Sequence, residues 1–181
     1  MVYVFLADGF EEIEAITSID ELRRAGLQLK MVSVTGSLTV QGAHGVSMVC
    51  DVAFGNCQFE EAKAIVLPGG MPGAETLTNH KGLQELIKGL VGSSTYLAAI
   101  CAAPMAFGKL GILKDVEAVA YPGFEEHLTG AKVQDQLVVV DGQFITGKGP
   151  GASMDFALTI VELLKGKDVV DQLKSDMCID A

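Results

Sequence analysis

Residues 2–34, VYVFLADGFEEIEAITSIDELRRAGLQLKMVSV, decide the fold. Residues 2–7 form a short, nearly continuous apolar run, the mark of a strand covered on both faces. Asp8-Gly9 turns the chain, and residues 11–25 read as a helix. Within it Ile13, Ile16, Ile19 and Leu22 recur at helical spacing, Glu11 and Glu12 lie in the first turn, and Gly26 is a fitting stop. Residues 28–34 return as a second strand. Strand, helix and strand with short joins imply a parallel pairing through a right-handed crossover.

Outward from this unit the alternation continues. Two short β-prone pieces within residues 38–50 flank Gly42-Ala43-His44-Gly45, predicting a small β-hairpin arm that stands off the main sheet. Residues 64–67 give a third parallel strand ending in Pro68-Gly69-Gly70, residues 83–90 a helix, and residues 96–100 a fourth strand followed by a helix over 102–110. Later strands are expected over 117–121, 132–140 and 143–146, a long helix over 152–164, and a last amphipathic segment over 168–173. No internal repeat, low-complexity tract or linker divides the chain, so residues 1–181 are expected to form a single α/β domain. Its architecture is a doubly wound, mostly parallel sheet sandwiched by helices.

Composition narrows the function classes. A length of 181 residues suits one domain with a proper core, and 49% apolar against 20% charged residues is a globular balance. The net charge of −10, with only Arg23-Arg24 as a basic pair, argues against a nucleic-acid partner, which draws on a basic footprint. No apolar run approaches the roughly 20 residues a membrane span requires, so no membrane partner is expected. The first residues lack a basic leader and reach Asp8, Glu11 and Glu12 at once, which makes a strand rather than a signal peptide and a cytoplasmic location the default. Of Cys50, Cys57, Cys101 and Cys178, no two are spaced C-x-x-C, and only three histidines accompany them. Neither a metal site nor a disulfide framework is expected from that set.

In open parallel sheets ligands sit beyond the carboxyl ends of the strands. Asp8 to Glu14, Gly69-Gly70, Cys101 and Tyr121-Pro122 all map to those ends. Cys101 follows an apolar strand, is surrounded by small residues, and has Pro104 at the start of the next helix. This is the pattern of a nucleophile elbow, and a helix N-terminus beside the sulfur is expected to lower the thiol pKa. Glu14, flanked by Ile13, Ala15 and Ile16, becomes a general acid or base if it points inward, because burial raises a carboxyl pKa. Glu12 reads simply as a complement to the helix dipole. The backbone of Gly69-Gly70 and the N–H of Ala102 are candidates for an oxyanion site. Gly147-Lys148-Gly149-Pro150-Gly151 does not match a phosphate loop, and His44, His80 and His127 all fall in polar or loop contexts that suit surface positions better than a catalytic base.

Five motifs then fall into register: Gly9-Phe10-Glu11-Glu12-Ile13-Glu14, Arg23-Arg24-Ala25-Gly26, Val66-Leu67-Pro68-Gly69-Gly70, Ala98-Ala99-Ile100-Cys101-Ala102-Ala103-Pro104 and Gly149-Pro150-Gly151. Together they resemble the ThiJ/PfpI superfamily (class I glutamine amidotransferase-like domains), on the branch of the Parkinson-associated protein deglycase and its bacterial relatives. The resemblance covers essentially the whole chain. It implies a flavodoxin-like sandwich and a homodimer built partly through the first helix. It further implies an easily oxidised catalytic Cys101 paired with Glu14, an oxyanion site at Gly70 and Ala102, and a pocket bordered by Glu11 and Pro150. The implied activity is cofactor-free conversion of glyoxal or methylglyoxal to hydroxy acids, or repair of early glycation adducts. The alternative is a redox-sensing or chaperone role based on oxidation of Cys101.

Two departures from that pattern matter. Tyr121 stands where many relatives carry histidine, and with a reference pKa of about 10 it is a poor base near neutrality, which shifts acid–base work onto Glu14. Ala102 stands where the protease branch has histidine, so a cysteine peptidase ranks last.

Overall fold

The computed structural model describes residues 1–179. Strand β1 (Val2–Leu6) is wholly buried, and it leads into helix α1 (Glu12–Arg24) and back through β2 (Leu29–Ser33), parallel to β1 with Val2 opposite Leu29. The predicted arm follows as the antiparallel pair β3 (Thr39–Gln41) and β4 (Ser47–Val49), before β5 (Val52–Ala53) adds a short edge to β2. On the other side of β1 lies β6 (Ala64–Leu67). Helices α2 (Gly73–Asn79) and α3 (Lys81–Leu90) then lead to β7 (Tyr96–Ile100) and the short α4 (Met105–Lys109). A small parallel pair, β8 (Glu117–Ala118) and β9 (Lys132–Val133), precedes the hairpin β10 (Val138–Asp141) and β11 (Phe144–Gly147). Helices α5 (Ser153–Lys165) and α6 (Lys167–Asp176) complete the chain.

The main sheet has seven strands in the order β10-β11-β7-β6-β1-β2-β5, and only the β10–β11 pairing is antiparallel. The chain runs outward from β1 to β5 on one side and resumes at β6 on the other. A topological switch point therefore lies between β1 and β6, where loops leaving the strand ends diverge and open a crevice. Near-continuous burial of β1, β6, β7 and β11 is what strands covered on both faces require, and it explains their legibility as apolar runs. Among the described residues no helix is long and apolar enough to cross a membrane.

Several elements differ from the expectation. The helix after β7 begins at Met105 rather than 102, because Cys101 to Pro104 form successive tight turns closed by Ala103 N–H on Ile100 O and Met105 N–H on Ala102 O. Only Glu117–Ala118 of the strand expected over 117–121 forms, since Val119 N–H donates to the Thr146 hydroxyl and Tyr121 N–H to the Cys101 carbonyl instead of to a ladder. The run 132–140 divides into β9 and β10. Helix α2 has little apolar periodicity to announce it, with Ala74 and Leu77 as its only buried hydrophobic side chains.

On α1 the isoleucine series is not one buried stripe. Ile19 and Leu22 are in the core, whereas Ile13 is 57% and Ile16 42% exposed. The buried face instead carries Glu14, Ser18 and Glu21, at helical spacing i, i+4 and i+7. Glu12 does more than complement the dipole. Its carboxylate accepts from the His44 backbone at 2.6 Å and faces the His44 ring nitrogen at 2.8 Å, fastening the arm to α1. Burial opposes its ionisation, yet these bonds prevail and hold the Glu12 carboxyl below its ordinary range. Gly42 allows that contact, because a Cβ there would run into the Glu12 carboxylate.

Candidate active site

Three segments distant in sequence meet at the crevice. Cys101 leaves β7 with φ of 64°, a left-handed conformation that costs a side-chain-bearing residue about 1–2 kcal/mol. The strain is held from both sides: Cys101 N–H donates to Gly147 O and Cys101 O accepts from Tyr121 N–H, each at 2.9 Å. A strained turn that presents one reactive side chain at the sheet edge is the elbow geometry the sequence predicted.

Glu14 reaches the same point from α1 and is completely buried. Glu11 fixes its backbone by capping the helix, its carboxylate accepting from Glu14 N–H at 2.7 Å. One Glu14 oxygen, Oε2, accepts from Gly69 N–H at 2.7 Å and the other has no hydrogen-bond partner, while the carboxyl as a whole interacts with the Cys101 thiol. Gly69 makes this approach sterically feasible. A Cβ there would stand 2.6 Å from the Cys101 Cβ and 2.9 Å from Glu14 Oε2. Gly70, at φ of 85°, needs glycine for its conformation and would otherwise collide with the Glu11 backbone.

Electrostatics correct one expectation. Burial raises the Glu14 carboxyl to about 7, helped by the neighbouring Glu11 charge and opposed by the Gly69 N–H. Cys101 is not lowered. Burial, and then the Glu14 charge, push its thiol up to about 12, against the backbone N–H groups of Gly70 and Ala102 that favour the thiolate. The expected helix N-terminus is absent from the sulfur because α4 starts four residues later. The two groups form one proton-sharing pair: a protonated Glu14 removes the repelling charge and offers the sulfur a donor, so the thiolate becomes accessible when its proton moves to Glu14.

The raised Glu14 carboxyl has a consequence for stability. Its folded value of about 7 exceeds the reference of 4.5, so the native state holds this proton more tightly than the unfolded chain. The stabilisation is complete below the unfolded value and is lost as pH rises from there through about 7. At about 1.4 kcal/mol per unit the loss amounts to about 3 kcal/mol. Urea unfolding of the wild type and Glu14→Gln, at pH 4.5 and pH 8, should show this pH-dependent difference in the wild type only.

Of the predicted site residues, Cys101, Glu14, Glu11, Gly70 and Ala102 converge here. Gly69 serves differently from the expectation, since its N–H is engaged by Glu14 and only the Gly70 and Ala102 groups face the sulfur. Tyr121 and Pro150 line an adjoining pocket of about 280 Å³ with Pro122, Leu137, Lys148 and Gly149. The sequence reading considered Gly147 only as part of a rejected phosphate loop and did not single out Leu137; the Cys101 contact of Gly147 is made by its backbone carbonyl at the end of β11, which leaves no pattern in sequence. Glu11, Glu12 and His44 bring potential metal-ligating atoms within 4.8 Å of one another. The Glu11 carboxylate already caps α1 and both Glu12 oxygens already hold His44, so this donor set works as a structural clasp.

Known proteins resemble this chain over most of its length. The profile of the DJ-1/PfpI family matches residues 1–163. The chain is 38% identical over 177 residues to protein DJ-1 homolog A of Arabidopsis thaliana, covering 96% of this chain and 45% of that protein. It thus spans less than half the length of that relative, and 39% of its homolog B. It is 37% identical over 172 residues to the glutathione-independent glyoxalase DJR-1.2 of Caenorhabditis elegans, covering 93% of this chain and 90% of that one. Among solved structures, oxidized DJ-1 of Toxoplasma gondii superposes with a TM-score of 0.94 at 32% identity, over 99% of this chain and 98% of that one. The chain, with its strained elbow, buried glutamate and switch-point crevice, belongs to the DJ-1/PfpI family.

Proposed function

We propose that the protein is a cysteine-dependent, cofactor-free glyoxalase that converts α-oxoaldehydes such as methylglyoxal and glyoxal to hydroxy acids, and acts on their early glycation adducts. The observation that carries this reading is the buried Glu14 carboxyl, raised to about 7 and placed beside Cys101 with one oxygen unpartnered. A general acid–base works best with a pKa near the operating pH. Cys101 sulfur adds to the aldehyde carbon as its proton passes through Glu14 to the carbonyl oxygen, giving a hemithioacetal whose hydroxyl lies near the Gly70 and Ala102 N–H groups and leaving Glu14 ionised. Glu14 then moves the proton from the former aldehyde carbon to the neighbouring keto carbon through an enediol, leaving a hydroxyacyl thioester. Water releases the hydroxy acid and restores the thiol. The sequence is redox-neutral and consumes one water. The relative named as a glyoxalase supports it at the level of the family.

The test is direct. Purified protein with methylglyoxal and no added cofactor should form many equivalents of lactate per chain. Consumption that stops at one equivalent, without lactate, would sink the proposal.

A homodimer is proposed as the working form, supported by the exposed apolar side chains Ile13 and Ile16 on α1 and Val46 and Val49 on the arm. Light scattering at the mass of one chain would count against it.

One observation favours a redox role as the second reading: the Toxoplasma gondii relative was solved in an oxidized form. A protonated Glu14 carboxyl, which interacts with Cys101, would donate a hydrogen bond to a sulfinate there. Mild peroxide should then add two oxygens at Cys101 before the more accessible Cys57 or Cys178 reacts. Oxidation of either of those first, read by peptide mass, removes this alternative.

A further inference from the structure

Helix α1 carries a buried polar stripe that the fold leaves without partners. Among the described residues, the buried side-chain oxygens with no hydrogen bond are Glu14 Oε1, Ser18 Oγ and Glu21 Oε2. All three lie on α1 at i, i+4 and i+7, and their residues are 0%, 0% and 1% exposed. Helical neighbours at these spacings stand about 5–6 Å apart at their Cβ atoms. Side chains on a helix lean toward its N-terminus, so Ser18 reaches back over the turn of Glu14 and Glu21 over the turn of Ser18. Ser18 does not turn its hydroxyl onto its own helix as Thr78 and Thr159 do, each donating to the carbonyl four residues back at 2.7 Å. A buried polar group left unpaired is costly, and ordered water is the usual partner where protein supplies none. Two hydrogen bonds through one water span about 5–6 Å, which matches the step along the stripe.

The stripe begins at the reacting pair and ends near solvent. At one end Glu14 interacts with Cys101 while its Oε2 is held by Gly69 N–H. At the other, Glu21 feels the charges of Asp20 and Arg24, an ion pair at 2.7 Å whose side chains are half-exposed. Burial raises both carboxyls above their ordinary range, so each end holds a proton more readily than an exposed glutamate.

We infer that Ser18 and Glu21, with water bridging their oxygens, form a proton relay that connects Glu14 to the surface at the Asp20–Arg24 pair. This role rests on the glyoxalase reading above and adds two residues to it. Each turnover converts one aldehyde and one water to a hydroxy acid anion and one proton, so a proton leaves the crevice in every cycle. Glu14 is fully buried and cannot hand it to bulk solvent directly. Through the relay Glu14 gives its proton to the first water, each water and the Ser18 hydroxyl passes on one of its own, and the ionised Glu21 receives the last. Only O–H bonds break and form; Glu14 ends ionised and Glu21 protonated, and Glu21 then releases the proton at the surface. The same path lets Glu14 exchange the hydrogen it takes from the former aldehyde carbon before it returns one to the keto carbon.

The experiment follows that hydrogen. Methylglyoxal is turned over in D₂O by the wild type, Ser18→Ala and Glu21→Gln, and the lactate is read by NMR for protium or deuterium at its second carbon. Neither substitution adds bulk to the core, and Glu21→Gln keeps the shape of the side chain while removing its titration. The wild type should give lactate mostly deuterated there. Both variants should retain the substrate's own hydrogen several-fold more often, because Glu14 returns what it took. A general loosening of the fold would admit solvent and move the ratio the other way, so the sign separates a relay from a structural role. Crystals of the wild type that diffract well enough to show ordered water should place waters between Glu14 and Ser18 and between Ser18 and Glu21. Lactate with the same isotope ratio in all three proteins overturns the relay and leaves the glyoxalase reading standing. If no lactate forms, the glyoxalase reading fails and the crystal decides. A file of water joining the three oxygens upholds the proton path from Glu14, and apolar atoms packed between them overturn it.

Discussion

Cys101→Ala is expected to reduce lactate formation from methylglyoxal to the uncatalysed background, a loss on the order of 10⁴-fold or more, while the fold is retained. Removing a nucleophile abolishes the covalent route altogether, and no other thiol in the crevice can replace it. Cys50 is buried between β4 and β5, with its own thiol raised by burial to about 11. Alanine at 101 also removes the side chain that Gly69 makes room for, so no clash is introduced. Glu14→Gln should cost about 10²–10⁴-fold, the range of a lost general acid–base. The amide is nearly isosteric, and its oxygen can still accept from Gly69 N–H. Single-turnover kinetics separate the two variants: Glu14→Gln should still form an adduct with aldehyde, slowly, and Cys101→Ala should form none. Wild-type lactate formation by Cys101→Ala would refute the covalent mechanism.

The second large effect concerns stability. Gly108→Ala places a Cβ directly on the carbonyl oxygen of His127, a backbone atom with little room to move. Helix α4 and the segment carrying Tyr121 must then separate, at a cost of about 3 kcal/mol. For a domain of this size each kcal/mol lowers Tm by about 2–4 °C, so calorimetry should show a fall of roughly 6–12 °C. Gly89→Ala in α3, where a Cβ meets nothing within 4 Å, is the control and should be neutral or slightly stabilising. Equal Tm values for the two variants would show that the α4–His127 contact is not as close as described.

The buried strands and the Cys101 elbow were legible in sequence because their signals are local. An apolar run of four to six residues followed by glycine, cysteine or proline reports burial on both faces and a sharp exit. Glu14 was legible as a candidate because apolar neighbours flank it. Its companions on α1 were not. The spacing of Ile13, Ile16, Ile19 and Leu22 identifies a helix but not which side faces the core, and the structure turns Glu14, Ser18 and Glu21 inward. Glu12 was misread for a related reason, since its partner His44 lies 32 residues away in a hairpin whose docking no local pattern encodes.

By itself, then, the sequence determined the doubly wound strand–helix alternation, the hairpin arm and the identity of the elbow cysteine. Each follows from periodicity and from the backbone preferences of neighbouring residues. Only the tertiary structure decided the chemistry of the site. The bond between Glu14 and Gly69 spans 55 residues and exists because the strand order reverses between β1 and β6. The same burial raises the glutamate to about 7 and the thiol to about 12, opposite to the lowering that a helix N-terminus alone would give Cys101. Ionisation responds to desolvation and to charges brought close by folding, and those are properties of the packed crevice rather than of any stretch of chain.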